Sequence, residues 1–306
     1  MNFLALTLGK VIPKYRTVAD WVKIYEGILS TEGLCEKTLS NRKNHIKKIL
    51  AEFGEESIGS LKPHVIAQFI TSLAKTYPVT AKRTLIEIRC MLNHALLNGW
   101  ISVNPAMAVK PPKTKVERLR LSFENWNKAY EWSKENQPGW VNRMLLSALV
   151  TGQRRGDLIG MKFSDVWDGY LHITQQKTGT RLALPLSLKH ELTGLTLAEV
   201  VESCKDYAKE GTSGLLLRKS TGEGLSAASA SWRFEQAREG ALGLHRGQGN
   251  PPSLHEIRSL SERTYREQGI DTKTLLGHSK QQMTDMYNDD RGLDAKSGKW
   301  KTLEVS

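Results

Sequence analysis

Leu275-Leu276-Gly277-His278 stands nine residues ahead of Tyr287, and a short way upstream runs Ser253-Leu254-His255-Glu256-Ile257-Arg258. Much earlier comes Thr151-Gly152-Gln153-Arg154-Arg155-Gly156-Asp157-Leu158. Each stretch is ordinary alone. In this order they combine two arginines, two histidines and a late tyrosine, and with a lysine placed between them they suit one phosphodiester handled without metal or nucleotide.

The arginines come first in the chemistry. A guanidinium fork matches two non-bridging phosphate oxygens and stays charged at any working pH. Two forks hold a phosphate and offset the charge that grows as it becomes pentavalent. Arg154 follows a Thr-Gly turn after the apolar run Leu145–Val150, and Asp157 lies three residues on, where helical spacing lets it orient the arginine. Ser253 and Glu256 have capping-box spacing, which predicts His255 and Arg258 in the first turn of a helix, on one face. A helix start favours an anion beside it. His278 follows a Leu-Leu-Gly helix-end pattern. Tyrosine is a poor nucleophile at neutral pH, since a phenol titrates near ~10, and needs cations and an in-line phosphate to act. Lys177 sits in Lys177-Thr178-Gly179-Thr180, the turn of an expected hairpin, where a flexible ammonium reaches a leaving oxygen. Taken singly, Arg154 reads as a surface ion pair and His255 as a packing residue of a capped helix. Lys177 alone reads as solvated surface, and Tyr287 as a half-buried tyrosine.

The chain has 306 residues, 39% hydrophobic and 25% charged, which fits two ordinary domains with real cores. No apolar run of about 18 residues exists to span a membrane. Met1–Leu8 is apolar but lacks the basic lead and cleavage-like site of a signal peptide. Three cysteines, Cys35, Cys90 and Cys204, are odd in number and far apart. They suggest neither disulfides nor zinc, and a reducing cytoplasm is expected. None of the eight histidines has ligand spacing with another His or Cys, and the second His that a His-Glu-x-x-His zinc motif needs is replaced by Ser259. No metal site and no cofactor is expected.

Charge is uneven. Residues 1–116 hold 17 Lys/Arg against 8 Asp/Glu, a net of +9, while residues 117–306 hold 27 against 24, a net of +3. A basic half joined to a near-balanced half suggests that the first grips a polyanion, with nucleic acid favoured; a basic surface kept for solubility is the alternative.

Periodicity predicts four helices over residues 17–100. Thr17 and Asp20 have capping-box spacing ahead of Trp21, Ile24, Tyr25 and Ile28. Thr38 to Phe53 places Leu39, Ile46, Ile49 and Leu50 on one side, with Arg42, Lys43, Lys47 and Lys48 as the candidate phosphate contacts. Pro63 opens the third helix, and Tyr77-Pro78 precedes a fourth that stops near Asn98-Gly99. Lys110-Pro111-Pro112-Lys113 reads as a linker. The expected division is a tail over 1–16, a helical domain over 17–109, a linker over 110–118 and a second domain over 119–306. In that second domain Tyr170–Ile173 and Arg181–Leu184 read as a hairpin, and Thr196–Tyr207 and Ala227–Arg238 as helices. Gly243–Pro252 reads as a loop and Trp300–Val305 as a last strand.

From about Thr17 onward, and most densely between Leu145 and Gly292, the sequence resembles the tyrosine recombinase (phage integrase) family, in particular lambda-type integrases. The resemblance implies an α-rich two-domain fold: a helical core-binding (SAM-like) domain and a mixed α+β catalytic domain with a small antiparallel sheet, closing as a C-shaped clamp on DNA. It places the active site at Arg154, Lys177, His255, Arg258, His278 and Tyr287, with Asp157 supporting the first arginine. Asp168-Gly169-Tyr170-Leu171 and Asp289-Asp290-Arg291-Gly292 also look lambda-like. The implied reaction is attack by the tyrosine to give a 3′-phosphotyrosyl link and a free 5′-hydroxyl. Four protomers then act on two duplexes through a Holliday junction, each passing a C-terminal tail (about 289–306) to a neighbour. The implied partners are double-stranded attachment core sites, a homotetramer on DNA, host architectural proteins and a directionality factor, at the nucleoid of a bacterial cytoplasm. Lambda integrase carries a further arm-binding domain ahead of these two, and about 16 residues before Thr17 are too few for it. The chain therefore either works without arm binding or is a shortened version.

Two other classes fit parts of the pattern. A DNA-binding factor without catalysis would tolerate loss of Arg154, Arg258 or Tyr287, yet all are present. A type IB topoisomerase shares nucleophile and arginines but relaxes single duplexes; the exchangeable tail and the basic helical domain favour recombination.

Overall fold

The computed structural model describes residues 16–114, 118–207, 214–245, 247 and 249–288. The expected tails at 1–16 and 289–306, the strand at Trp300–Val305 and the Asp289–Gly292 stretch lie, apart from Arg16, outside the described residues. The chain divides into two compact units, Met1–Val116 and Glu117–Ser306.

The first unit has four helices: α1 (Val18–Thr31), α2 (Glu36–Phe53), α3 (Pro63–Thr76) and α4 (Pro78–Leu97). The start of α1 is the capping box its sequence predicts, with the Thr17 hydroxyl accepting from the Asp20 N–H at 3.1 Å and Asp20 accepting from the Thr17 N–H at 3.4 Å. Prolines open α3 and α4, where a missing N–H costs nothing. Trp21, Tyr25, Ile46, Ile49, Ile66, Leu85 and Met91 form the core. The Trp21 indole finds its acceptor in the Met91 carbonyl at 3.0 Å.

Arg42 corrects its expected role. Its Nε donates to both carboxylate oxygens of Glu87, at 3.2 and 3.0 Å, and it also pairs with Glu32 and donates to the Tyr25 hydroxyl. Glu87 is buried and accepts from the Tyr25 hydroxyl as well. A buried carboxylate needs a paired cation, so Arg42 braces α1, α2 and α4 from inside. Lys43, Lys47 and Lys48 stay exposed on α2.

The second unit is built on α6 (Trp140–Thr151), buried along nearly its whole length. Around it lie α5 (Phe123–Asn136), α8 (Leu197–Tyr207), α9 (Ala227–Leu242) and α10 (His255–Glu267). The short helices α7 (Arg155–Gly160), α11 (Thr272–Leu276) and α12 (Gln281–Asp285) carry site residues to its edge. The α9 helix runs four residues past its expected end, to where Gly243, at φ +64°, supplies the left-handed cap. Strands β1 (Val166–Trp167), β2 (Tyr170–Thr174) and β3 (Arg181–Pro185) form an antiparallel sheet in sequence order, with Leu171 opposite Leu184. Asp168-Gly169 is the tight turn between β1 and β2, both residues at positive φ, which explains this dipeptide there. A second pair, β4 (Lys189–His190) with β5 (Leu195–Thr196), is too short to show any alternation in the sequence. Among the described residues no helix is long and apolar enough to cross a membrane.

Candidate active site

The site forms where the ends of α6 and α11 meet the start of α10. Helix α6 closes at Gly152, φ +63°, where an added Cβ would lie 2.8 Å from the Ser261 hydroxyl. The extended Gln153-Arg154 step that follows aims Arg154 outward as the residue before α7. Arg258 rises from α10 and is 1% exposed. Its NH1 donates to the Gly152 carbonyl and its NH2 to the Leu276 carbonyl, both at 2.7 Å, and NH2 also donates to His278 Nε2 at 3.1 Å. Among the described residues no carboxylate pairs with it, and its buried Nε has no hydrogen-bond partner. Burial and the neighbouring Arg154 charge lower its pKa to about 10, which leaves it cationic at neutral pH.

The capping box expected at Ser253 and Glu256 does not form. Instead Glu256 is buried in an ion pair with Arg120 at 2.9 Å, and α10 opens with Leu254 and no side-chain cap. A buried guanidinium outcompetes a backbone N–H for that carboxylate. His255 and Arg258 still share the first turn, as expected. Arg120 also donates to the Met286 carbonyl at 2.8 Å, next to Tyr287.

Tyr287 follows α12. Its carbonyl accepts from Ser259 at 3.2 Å, and its hydroxyl lies 3.3 Å from His255 Nε2. Its ring stacks on His278, with centroids 5.6 Å apart and planes 15° from parallel. Since Arg258 donates to His278 Nε2, the imidazole proton sits on Nδ1 and is donated to the Thr284 hydroxyl at 2.9 Å. Burial, then Arg258 and Arg154, lowers the His278 pKa to about 4. The His255 pKa is also lowered to about 4, first by the protein packed around it and then by Arg258, Arg118, Arg154 and Arg120. Both imidazoles are therefore neutral at pH 7, and His255 Nε2 faces the Tyr287 hydroxyl.

Arg154 finds its closest partner in a residue the sequence reading passed over: NH1 donates to Gln175 Oε1 at 2.6 Å. The nearest Asp157 oxygen is 3.9 Å away, beyond hydrogen-bond reach, and Asp157 instead accepts the Gln176 N–H at 2.8 Å. Five expected residues, Arg154, His255, Arg258, His278 and Tyr287, thus gather at one place. Lys177 does not join them; it stays exposed between β2 and β3, without a hydrogen bond or ion pair among the described residues. Gln175, Thr284 and Arg120 are the parts the sequence did not mark; the partners of Gln175 and Arg120 lie mostly far off in the chain, and an isolated threonine such as Thr284 carries no motif.

A group of guanidiniums beside a tyrosine hydroxyl and neutral imidazoles is fitted to a phosphate and a phenolic nucleophile. The profile of the phage integrase family matches residues 120–292, a span that holds all of these groups. The chain belongs to the phage integrase family. This family member is 47% identical over 296 residues to the integrase of Enterobacteria phage P21, covering 91% of this chain and 76% of that one. It superposes with a TM-score of 0.85 on a lambda integrase dimer bound to a COC′ core site, at 32% identity, over 95% of this chain and 100% of that one. Against a lambda integrase tetramer bound to a Holliday junction the TM-score is also 0.85, at 31% identity, covering 96% of this phage integrase family chain and 82% of the other. The α-rich fold with a small antiparallel sheet, expected from the sequence, is the fold of these relatives.

Proposed function

We propose that this chain is a site-specific recombinase that cuts and rejoins duplex DNA at attachment core sites through a 3′-phosphotyrosyl intermediate. The Tyr287 hydroxyl beside His255, with the Arg154 and Arg258 guanidiniums next to it, is the observation that carries this reading. Arg154 and Arg258 hold the scissile phosphate and offset its growing charge. The Tyr287 oxygen bonds to phosphorus as its proton passes to His255 Nε2, and the bond to the 5′ oxygen breaks. The 5′-hydroxyl of a partner duplex then attacks the phosphotyrosine, releases Tyr287 and restores the diester. The bond energy stays in the covalent intermediate, so the two steps need no nucleotide. A homotetramer on two duplexes fits the Holliday-junction complex of the lambda relative. The bacterial cytoplasm, at the nucleoid, is where such DNA would be met, and host architectural proteins and a directionality factor would bias its direction.

Lys177 is assigned as the acid for the departing 5′ oxygen, which requires the hairpin tip to move onto bound DNA. Lys177→Ala is expected to slow cleavage of a normal duplex. A duplex with sulfur at the 5′ bridging position needs no acid, and should be cut equally well by variant and parent. Equal defects on both would move Lys177 to phosphate positioning.

The first unit is assigned the larger share of duplex binding, through Lys43, Lys47 and Lys48. Replacing any one by Ala in the full chain should reduce the slope of log affinity against log salt by about one. Arg42→Ala should leave the slope unchanged and instead lower stability by about 3 kcal/mol, the low end for breaking a buried pair. Salt titrations and denaturant melts of the four variants check this. A slope change confined to Arg42→Ala would reverse the assignment.

A further inference from the structure

Gln175 directly follows β2, at the start of the Lys177 turn, and is fully buried. All four hydrogen-bonding positions of its carboxamide are used. Oε1 accepts from Arg154 NH1 at 2.6 Å and from the Thr178 hydroxyl at 3.0 Å. Nε2 donates to Gln153 Oε1 at 2.9 Å and to the Leu276 carbonyl at 3.0 Å. The orientation of the amide is set by its neighbours: Gln153 spends its own Nε2 on the carbonyls of Thr151 and Leu275, so only its oxygen can face Gln175. The Leu276 carbonyl is the one that also accepts from Arg258 NH2. One side chain therefore touches Arg154 directly and reaches Arg258 through a shared carbonyl oxygen. Space around it is closed, since a Cβ on Gly277 would come within 2.9 Å of its Nε2.

We infer that Gln175 is a positioning residue that sets the two arginines in one register over the phosphate, so that their forks act on it together. Asp157 faces Arg154 at 3.9 Å without a hydrogen bond, and among the described residues no carboxylate hydrogen-bonds Arg258, so Gln175 is the side chain that hydrogen-bonds Arg154 and shares an acceptor with Arg258. The inference rests on the arginine roles proposed above. It predicts a defect in charge stabilisation rather than in DNA binding or folding.

The test is single-turnover formation of the covalent adduct by Gln175→Met, which keeps the length of the side chain and removes its hydrogen bonds. On a phosphodiester core site the variant should be slower by about 10²-fold, the scale of a misplaced reacting group. On a duplex whose scissile phosphate is a neutral methylphosphonate, less charge needs stabilising. The ratio of parent to variant rates should then shrink by roughly tenfold or more. Two results would overturn the inference: parental rate on the phosphodiester, or an undiminished ratio on the methylphosphonate. If Gln175→Met does not fold, Gln175→Glu carries the same comparison, because it keeps the acceptor for Arg154 but turns both donors into acceptors facing Gln153 Oε1 and the Leu276 carbonyl. Running Tyr287→Phe beside them separates the two readings. An adduct from that variant defeats the nucleophile assignment however Gln175 behaves.

Discussion

Tyr287→Phe forms no covalent adduct on a nicked core-site duplex and binds that duplex with nearly unchanged affinity: this is the expected result with the largest effect. The substitution removes one oxygen. The ring keeps its stack on His278, and the carbonyl keeps its bond from Ser259, so the segment stays placed. What disappears is the phenolic oxygen assigned to bond to phosphorus, together with its contact to His255. Trapping the adduct on denaturing gels, alongside a binding isotherm, checks both halves. An adduct of normal yield from this variant would move the nucleophile to another residue.

Removing Arg154 should cost about 10² or more in cleavage rate, the scale for loss of one donor to a developing oxyanion, and far less in binding. Arg154→Lys should not restore the rate. With NH1 committed to Gln175 Oε1, the other N–H groups of the fork remain for a phosphate, and a lysine ammonium cannot serve both partners from one planar frame. The same logic holds for Arg258, but its fork also satisfies two buried carbonyls, so Arg258→Lys would confound folding with catalysis. Arg154 is the cleaner probe because it is partly open to solvent. Parental cleavage by Arg154→Lys would show that a point charge is enough and that the bidentate role is wrong.

What could be read from sequence followed the range of the forces involved. The helices of the first unit announce themselves because their apolar spacing, the Thr17 cap and the Pro63 start are all local. The β2–β3 hairpin and the cluster of Arg154, His255, Arg258, His278 and Tyr287 were legible from short motifs, whereas the tight turn at Asp168-Gly169 was not read from the sequence. Partners remote in the chain were not legible. Glu256 looked like a capping residue because Ser253 is three positions away, while its true partner, Arg120, is 136 positions away. Arg42 looked like a free cation because Glu87, 45 positions on, carries no local sign of burial. Gln175 escaped notice because an uncharged amide has no pattern of its own; its four partners lie on its own turn and on two segments remote in the chain.

Arg258 hangs from the main chain. Gly152 and Leu276 hold Arg258 through their carbonyl oxygens, which every amino acid possesses. Leu276 can therefore drift among apolar residues without disturbing the arginine it anchors, whereas the glycines at 152 and 277, whose left-handed turns aim those carbonyls, have no substitute. The register of Arg258 is thus written into the path of the backbone, and a change at either glycine would reach the catalyst without touching a catalytic side chain.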